Sequence, residues 1–258
     1  MTGVMGPESS PRSDGRGELS ASLEESLAPI RVASYPVGVL FSGGVDSSLL
    51  AWELRLRPST VLLTMGRKGS ADLTAGKAGA ERIGLPWEGR EVGETEVRAV
   101  ALRFETELDG VPHLTRSVLV SLALAMEGAT PSVLLCGQGA DELFLGYAHY
   151  RGLGPLEAER RSREDLSRLH ERDWPRTLEI ARKVGKQLVA PYLSDRFESA
   201  ALRIPINVRL PGDHPKRFFR EWALERGVPP ELVERPKKAV QYGSGVDPLV
   251  RRLRRRSA

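Results

Sequence analysis

The chain has 258 residues, of which 40% are hydrophobic and 28% are charged, and its formal net charge is +4. This is an ordinary globular composition, long enough for one domain of good size or two small ones. The positive excess comes from five arginines between Arg251 and Arg256, so net charge does not indicate a nucleic-acid enzyme. We interpret this end as a solvated helix end, with a contact to a polyanion as the alternative.

Cysteine content and hydropathy indicate the cellular compartment of the protein. Cys136 is the single cysteine, and the four histidines have no metal-ligand spacing. One cysteine excludes a disulfide framework and a zinc–thiolate cluster, and it favours a reducing compartment. No apolar run approaches the ~20 residues of a membrane span, and the N-terminus lacks the pattern of a secretory signal. We therefore expect a cytoplasmic protein without a membrane partner.

The N-terminal segment differs in composition from the rest. Residues 1–30 begin with a polar run rich in glycine, proline and serine, which is typical of disorder. Apolar residues near helical spacing predict a short helix over 21–30. We expect a disordered or weakly structured leader, followed by one domain over 31–258.

Strand and helix patterns alternate between residues 37 and 150. The predicted strands are Val37–Phe41, Val61–Met65, Trp87–Val92 and Ser132–Cys136. This alternation predicts an α/β fold, a doubly wound parallel sheet with helices on both faces. Right-handed crossovers place the carboxyl ends of the strands on one edge, where a ligand is expected. Residues 151–258 show no convincing strand, so we expect a mainly helical part that covers this edge.

A glycine turn and a helix N-terminus follow the first strand. The string is Ser42-Gly43-Gly44-Val45-Asp46-Ser47-Ser48. Adjacent glycines leave main-chain N–H groups uncovered, the serine hydroxyls add donors, and the helix dipole favours an anion. The string therefore predicts a phosphate cradle, in which Asp46 is a ligand for Mg²⁺. An ordinary strand-to-helix turn is the alternative.

A second glycine-rich turn follows the fourth predicted strand. It reads Gly137-Gln138-Gly139-Ala140-Asp141-Glu142-Leu143-Phe144-Leu145-Gly146-Tyr147. Both turns end strands at the same edge, and each carries an acid. They predict a Mg²⁺–pyrophosphate unit held between Asp46 and Asp141; the alternative is a plain turn into a helix capped by Asp141.

The two strings resemble known motifs. The first is similar to the pyrophosphate-binding loop of the ATP pyrophosphatases, and the second resembles the second signature of the asparagine synthetase C-terminal domain. Further segments resemble that family in the right order over about residues 37–250. They are Gly69-Ser70-Ala71-Asp72-Leu73, Asp173 before Pro191, Pro191-Tyr192-Leu193 where the family has Pro-Phe-Leu, and the lysine-bearing segment Arg235–Gly245.

The resemblance implies an adenine nucleotide alpha hydrolase-like fold and a set of ATP contacts. The main chain of the first loop would hold the β- and γ-phosphates, with Gly137 and Gly139 beside it. Phe41 and the strand end at Thr64, Met65 and Gly66 would flank the adenine.

The resemblance also implies the metal and catalytic residues. Asp46 and Asp141 would bind Mg²⁺ with support from Asp173. Lys237 would lie over the α-phosphate and neutralise developing charge, and Lys238 could substitute for it. A solvated surface lysine is the alternative for this pair.

The departures from the family pattern affect the expected substrate specificity more than the ATP chemistry. The family usually has glutamate where this chain has Gln138, and glutamine cannot accept a proton; Gln138 could still hydrogen-bond a substrate. Gln187 and Val189 stand where the family usually has glutamate and arginine. The family's glutaminase domain, with a cysteine after the first methionine, has no counterpart, since Thr2 stands there. We therefore expect a stand-alone form.

The expected function is an ATP-dependent amide-forming ligase with ATP and Mg²⁺ as cofactors. It would adenylate a carboxylate, with aspartate as the leading substrate, release pyrophosphate, and transfer the acyl group to ammonia, giving asparagine and AMP. Ammonia would come from solution or from a separate glutaminase subunit. The alternatives are an adenylating ligase for another carboxylate and amine, similar to β-lactam synthetase, and a nucleotide-binding subunit partnered with a glutaminase. Assembly into a homo-oligomer is left open.

Overall fold

A five-stranded, fully parallel sheet forms the centre of the protein, in a computed structural model that describes residues 15–235 and 240–256. The strand order is β3-β2-β1-β4-β5. The strands are β1 Val37–Leu40, β2 Thr60–Gly66, β3 Trp87–Glu91, β4 Val133–Leu135 and β5 Gln187–Val189. The order changes direction between β1 and β4, so the switch point of the sheet lies between these two strands. The predicted doubly wound parallel sheet is confirmed.

Apolar residues on both faces of the sheet explain why helices cover both sides. Alternate residues of a strand point to opposite faces, and the central strands are apolar at nearly every position. One buried cluster contains Val37, Val39, Leu62 and Leu135. The other contains Leu63, Met65, Leu134 and Leu188. This is the pattern expected of parallel strands that are buried on both faces.

Helices form the two outer layers and a set of connections. The helices are α1 Arg16–Val32, α2 Val45–Glu53, α3 Ala71–Ile83, α4 Glu94–Arg103, α5 Glu105–Leu108, α6 His113–Glu127, α7 Ala140–Leu143, α8 Pro155–Arg168, α9 Trp174–Lys183, α10 Asp195–Arg203, α11 Ile206–Arg209, α12 Arg217–Glu225, α13 Pro230–Val233, α14 Val240–Gly243 and α15 Asp247–Arg256. Helices α1, α2, α3, α10 and α12 pack on one face of the sheet. Helices α4, α6, α9 and α15 pack on the other. Among the helices of the described ranges, none combines the length and apolar character that a membrane crossing needs.

Strand β5 differs from the prediction of a C-terminal part without strands. It has three residues, Gln187–Val189, and pairs in parallel with β4 through Leu134 and Leu188. Leu188 is buried and Gln187 is exposed, so this is a short edge strand. A three-residue strand is too short to show a period in the sequence, which is why the pattern did not reveal it.

Helix α1 differs from the prediction of a weakly structured leader over residues 1–30. It is an ordered helix of 17 residues, and Leu19, Leu23 and Leu27 are fully buried. The Arg57 guanidinium donates to the carbonyl of Ile30, at 2.9 Å, and so satisfies the helix C-terminus. The helix predicted over 21–30 forms the second part of α1, and the polar composition of the first residues concealed only the turns before it, which contain Leu19. Residues 1–14 of the leader lie outside the described residues.

Replacing Leu23 by alanine tests whether α1 belongs to the core. We expect the L23A protein to lose about 2–5 kcal/mol of unfolding free energy, because a buried leucine leaves a cavity when it is truncated. Urea unfolding measures this loss. Leu56 is 85% exposed, so L56A is the control and should change stability by less than about 0.5 kcal/mol. Equal, small effects in both variants would show that α1 is peripheral.

Candidate active site at the switch point of the sheet

A cleft of about 1740 Å³ opens at the carboxyl ends of the strands. Both glycine-rich loops line it, the first after β1 and the second after β4. Helix α6 supplies an apolar wall through Leu114, Val118 and Leu122, and residues of α8 line the opposite part. The two loops that the sequence singled out therefore meet at the place where open α/β sheets bind ligands.

The first loop is fixed by its own side chains. Gly43 has φ +69°, and a Cβ there would lie 2.9 Å from the carbonyl oxygen of Ala75. The Ser42 hydroxyl accepts the Gly44 N–H, at 3.3 Å. The Ser47 hydroxyl accepts the Ser42 N–H and donates to the Gly44 carbonyl. Both hydroxyls therefore stabilise the turn, and the Ser47 O–H is engaged by the Gly44 carbonyl.

The N-terminus of α2 presents main-chain donors at this loop. Its first internal hydrogen bond joins the Ser48 N–H to the Gly44 carbonyl, at 2.9 Å. The N–H groups that precede Ser48 have no acceptor within the helix, and Val45, Asp46 and Ser47 line the cleft. The start of α2 thus lies at the cleft with main-chain N–H groups that the helix does not use, which is the arrangement that an anion cradle requires.

Ser48 departs from the prediction that it adds a hydroxyl donor. Its side chain is fully buried, and it is not among the described residues that line the cleft. Its N–H is already bonded to the Gly44 carbonyl. The reason is helical geometry, which turns successive side chains to different faces of α2.

A buried ammonium joins the two predicted metal ligands. Lys216 Nζ lies 2.6 Å from Asp46 Oδ1 and 2.7 Å from Asp141 Oδ1. The lysine side chain is 1% exposed, whereas the two aspartates are 24% and 22% exposed. The carboxylates of Asp46 and Asp141, which are far apart in sequence, therefore converge on a single cation position at the cleft.

Gly146 leaves the space for this cluster. A Cβ at Gly146 would lie 1.9 Å from Asp141 Oδ1 and 2.3 Å from Lys216 Cε. The Gly146 N–H also donates to the Asp141 carbonyl, at 2.8 Å. Glycine is therefore needed at position 146, because a side chain there would overlap the ion pair of Asp141 and Lys216.

Lys216 is charged in this environment. Burial alone would lower the pKa of Lys216, but the charges and hydrogen bonds of Asp141 and Asp46 outweigh it, and the pKa is raised. The sequence analysis missed this residue, which lies in no matched motif. Lys216 has φ +57° and immediately precedes α12. Its position between Pro215 and an amphipathic helix is the local sequence feature that could have drawn attention to it.

Glu142 is a second buried acid beside this cluster. It is 6% exposed and accepts a hydrogen bond from the Tyr147 hydroxyl, at 2.5 Å. Burial, followed by the charge of Asp141, raises the pKa of Glu142 to about 7, against the opposing effects of Tyr147 and Lys216. The sequence placed Glu142 at this edge without assigning it a role.

Glycines of the second loop allow it to pass close to the first. A Cβ at Gly137 would lie 2.9 Å from the Asp46 Cβ. Gly139 has φ +93°, and a Cβ there would lie 2.5 Å from Leu193 Cδ2. Between them, Gln138 lines the cleft. These contacts explain why both glycines are needed, whatever ligand the cleft holds.

Cys136 precedes this loop and also lines the cleft. Burial raises the pKa of its thiol to about 12. The thiol is therefore protonated near neutral pH, and its environment is that of a packing residue and not of a nucleophile.

The strand ends predicted to flank an adenine line the cleft through Phe41, Thr64 and Met65. The Phe41 ring is 2% exposed and lies over Gly79. Thr64 Oγ1 donates to the Phe41 carbonyl, at 2.6 Å, and accepts the Trp87 indole N–H. These polar groups are engaged within the fold, so a ligand here would meet mainly apolar surface.

Gly66 has a structural function at the end of β2. A Cβ at Gly66 would lie 2.2 Å from Ser70 Oγ. That hydroxyl accepts the Leu73 N–H and caps α3. Gly66 is not among the described residues that line the cleft.

Asp173 lines the cleft without joining the two aspartates. It ends a π-helical turn between α8 and α9, and burial raises its pKa. Within residues 15–235 and 240–256, no group of three or more His, Cys, Asp or Glu side chains is arranged to hold a metal ion. The structure therefore brings Asp46 and Asp141 together but leaves Asp173 apart.

The predicted lysines Lys237 and Lys238 lie outside the described residues. The described residues on either side, Arg235 and Gln241, both line the cleft. The Arg235 guanidinium donates to the Ser42 carbonyl and to Asp72 Oδ1. The start of the lysine segment is therefore attached to the first loop.

Two of the positions expected to affect substrate specificity lie outside the cleft. Gln187 and Val189 belong to β5, and neither is among the described residues that line the cleft. Three residues, Gln138, Gln187 and Val189, differ from the family pattern. Of these three described residues, Gln138 alone lines the cleft.

Together, the fold and the site define a class of α/β protein with a helix N-terminus and a carboxylate pair at the switch point of a parallel sheet. The sequence profile of the asparagine synthase family matches residues 18–190 and 153–258. The chain belongs to the asparagine synthase family.

Individual relatives agree with this assignment. A Methanocaldococcus jannaschii protein whose name describes a glutamine-hydrolysing asparagine synthetase is 28% identical over 253 residues, covering 83% of this chain and 47% of the relative. The human glutamine-hydrolysing asparagine synthetase is 31% identical over 223 residues, covering 80% of this chain and 39% of that protein. The chain thus spans less than half the length of these relatives.

Solved structures show a weaker likeness. An NH3-dependent NAD synthetase from Campylobacter jejuni is 13% identical, with 93% of this chain and 96% of that chain covered. The TM-score is 0.38, which is too low to support a conclusion about fold or function.

Replacing Lys216 by methionine removes the charge between the carboxylates and keeps most of the side-chain volume. We expect the K216M protein to lose about 3 kcal/mol of unfolding free energy, because the buried ammonium that pairs with both carboxylates is removed. Millimolar Mg²⁺ should restore part of this loss, since Mg²⁺ prefers oxygen ligands of this kind. Urea unfolding with and without Mg²⁺ measures both effects.

Lys186→Met is the matched control. Lys186 Nζ also donates to two protein oxygens, the carbonyls of Ala129 and Pro131, at 2.6 and 3.0 Å. K186M should lose stability without a Mg²⁺ response. If Mg²⁺ stabilised both variants equally, Asp46 and Asp141 would not form a cation site.

Proposed function

We propose that this protein is an ATP-dependent amide-forming ligase. It adenylates a carboxylate, with aspartate as the leading substrate, releases pyrophosphate, and transfers the acyl group to ammonia, giving asparagine and AMP. The observation that carries this proposal is the convergence of Asp46, Asp141 and Lys216 beside the N-terminus of α2. Membership of the asparagine synthase family supports it.

The carboxylate pair fits Mg²⁺. Asp46 and Asp141 lie close enough to share the Lys216 ammonium, at 2.6 and 2.7 Å, and carboxylates are the hard oxygen donors that Mg²⁺ prefers. Mg²⁺ in proteins is usually held by one or two carboxylates together with substrate phosphates, not by a complete protein cage. When bound, the ion would neutralise phosphate charge.

The residues around this pair bind the phosphates. The main-chain N–H groups at the start of α2 would hold the oxygens of the departing pyrophosphate. Lys216 is buried and positively charged beside the same carboxylates. Its charge would offset the negative charge that accumulates as pyrophosphate leaves.

The acyl-transfer step depends on positioning. Gln138 lines the cleft and can hydrogen-bond the carboxylate or the acyl-adenylate, but it cannot take a proton. Lys237 is placed near the α-phosphate by the resemblance alone. Arg235, which precedes Lys237 by two positions in the sequence, donates to the Ser42 carbonyl of the first loop. Orientation and charge neutralisation would supply most of the rate.

A second candidate is the same chemistry on a larger carboxylate, with another amine as acceptor. The cleft volume of about 1740 Å³ exceeds the range of about 300–1,000 Å³ typical of small-molecule pockets. Its apolar wall on α6 includes Leu114 and Val118, which would suit a substrate with an apolar body. A panel of carboxylates scored by pyrophosphate release separates the two candidates.

The nitrogen source and setting are part of the proposal. The names of the curated relatives describe glutamine hydrolysis, and this chain aligns with less than half of each. Ammonia, taken from solution or delivered by a separate glutaminase subunit, is the nitrogen source that we propose, and the cytoplasm is the proposed setting. The alternative is a catalytically weak subunit that only binds nucleotide. Such a subunit would bind ATP but would not release pyrophosphate from it, whichever carboxylate is supplied.

The direct test is incubation with ATP, Mg²⁺, aspartate and ammonium. We expect AMP and pyrophosphate to form only when aspartate is present; ADP and phosphate would contradict the proposal. The D46N protein should release pyrophosphate at least about 100-fold more slowly, because phosphate charge is then poorly neutralised. Asp109 is exposed, so D109N is the control and should keep full activity.

Gly146→Ala tests the geometry of the cluster without removing a charge. The added methyl would separate Asp141 from Lys216, and we expect pyrophosphate release to fall by about 100-fold, since small displacements of reacting groups are costly. Gly154 has open space around it and an ordinary φ of −70°, so G154A should be nearly as active as the unmodified protein. Full activity of G146A would show that the cluster does not take part.

A further inference from the structure

A buried tyrosine contacts the main chain of Asp46 from another strand of the sheet. Tyr192 lies in the 3-10 turn Pro191–Leu193, directly after β5. Its hydroxyl donates to the Asp46 carbonyl, at 2.8 Å. Strand β4 lies between β5 and β1, so this hydrogen bond spans the switch point.

The turn that carries Tyr192 packs against the second loop. Gly139 lies so close that a Cβ there would be 2.5 Å from Leu193 Cδ2 and 3.5 Å from the main-chain carbon of Tyr192. The turn therefore contacts the loop that carries Asp141 and, through its hydroxyl, the loop that carries Asp46. It is placed to fix the two loops relative to each other.

Aromatic packing holds the Tyr192 ring in one position. The ring is fully buried, with its centroid 5.1 Å from that of Phe197 and 5.5 Å from that of Phe219 in an edge-on arrangement. The Phe219 ring centroid lies 5.8 Å from Lys216 Nζ. One rigid aromatic group thus contacts both Asp46 and its ionic partner.

We propose that Tyr192 is a positioning residue, which sets the main chain of Asp46 so that its carboxylate meets Asp141 at the cation position. This inference rests on the Mg²⁺ role proposed for Asp46. The hydroxyl is the group of Tyr192 that reaches the first loop. It gives Asp46 a main-chain anchor besides the helix of which it is part.

Tyr192→Phe removes the hydroxyl alone and keeps the packing. Tyr150→Phe is the matched control, because Tyr150 is also fully buried and its hydroxyl donates to an acid, Asp165 Oδ2, at 2.6 Å. Binding of a fluorescent ATP analogue is measured as a function of Mg²⁺ concentration, and thermal unfolding is measured without ligand. Pyrophosphate release is then followed over the same Mg²⁺ range.

We expect both variants to unfold at a similarly lower temperature, since each loses one buried hydrogen bond. Y192F should need about fivefold more Mg²⁺ for half-maximal nucleotide binding, and Y150F should match the unmodified protein. An unchanged Mg²⁺ requirement in Y192F, or an equal shift in Y150F, would overturn the positioning role. So would nucleotide binding by the unmodified protein that is independent of Mg²⁺.

The binding measurement also separates this inference from the proposed function. It requires no turnover, so a protein that binds ATP with Mg²⁺ and never releases pyrophosphate would refute the ligase proposal. The comparison of Y192F with Y150F would still decide the role of Tyr192.

Discussion

The ion pairs of Lys216 with Asp46 and Asp141 are the interaction on which the site depends. They join the start of α2, the start of α7 and the residue before α12, three segments that the sequence keeps far apart. A buried ammonium is tolerated because two carboxylates offset the cost of removing it from water. Loss of Lys216 would remove the positive charge that lies between the two carboxylates, whereas loss of either aspartate would remove one of the two ion pairs.

The sheet brings these segments together. Strand β1 lies between β2 and β4, and the chain leaves the centre in opposite directions on either side of it. The loops after β1 and β4 are therefore neighbours, and glycine at positions 137 and 146 removes the side chains that would keep Asp46, Asp141 and Lys216 apart. The glycines of the second motif are thus explained by close approach as much as by turn geometry.

Local patterns predicted the parts of this structure that local forces determine. The sheet, both loops and the meeting of Asp46 with Asp141 follow from apolar runs and glycine turns at strand ends. Lys216 could not be found in this way, because its role arises from burial between two distant acids. The first turns of helix α1 and strand β5 were concealed for similar reasons, since tertiary packing and not composition stabilises them. The position of Ser48 on the inner side of α2 required the helix to be placed on the sheet.

The proposed function requires Asp46 and Asp141 to form one divalent-cation site that operates with a nucleotide. Electron paramagnetic resonance of Mn²⁺ in the presence of ATP tests this requirement most directly, because Mn²⁺ accepts the same oxygen ligands as Mg²⁺. We expect the unmodified protein to immobilise Mn²⁺ together with ATP, and the protein with both D46N and D141N to give only the spectrum of Mn²⁺–ATP free in solution. Equal immobilisation by the two proteins would contradict it.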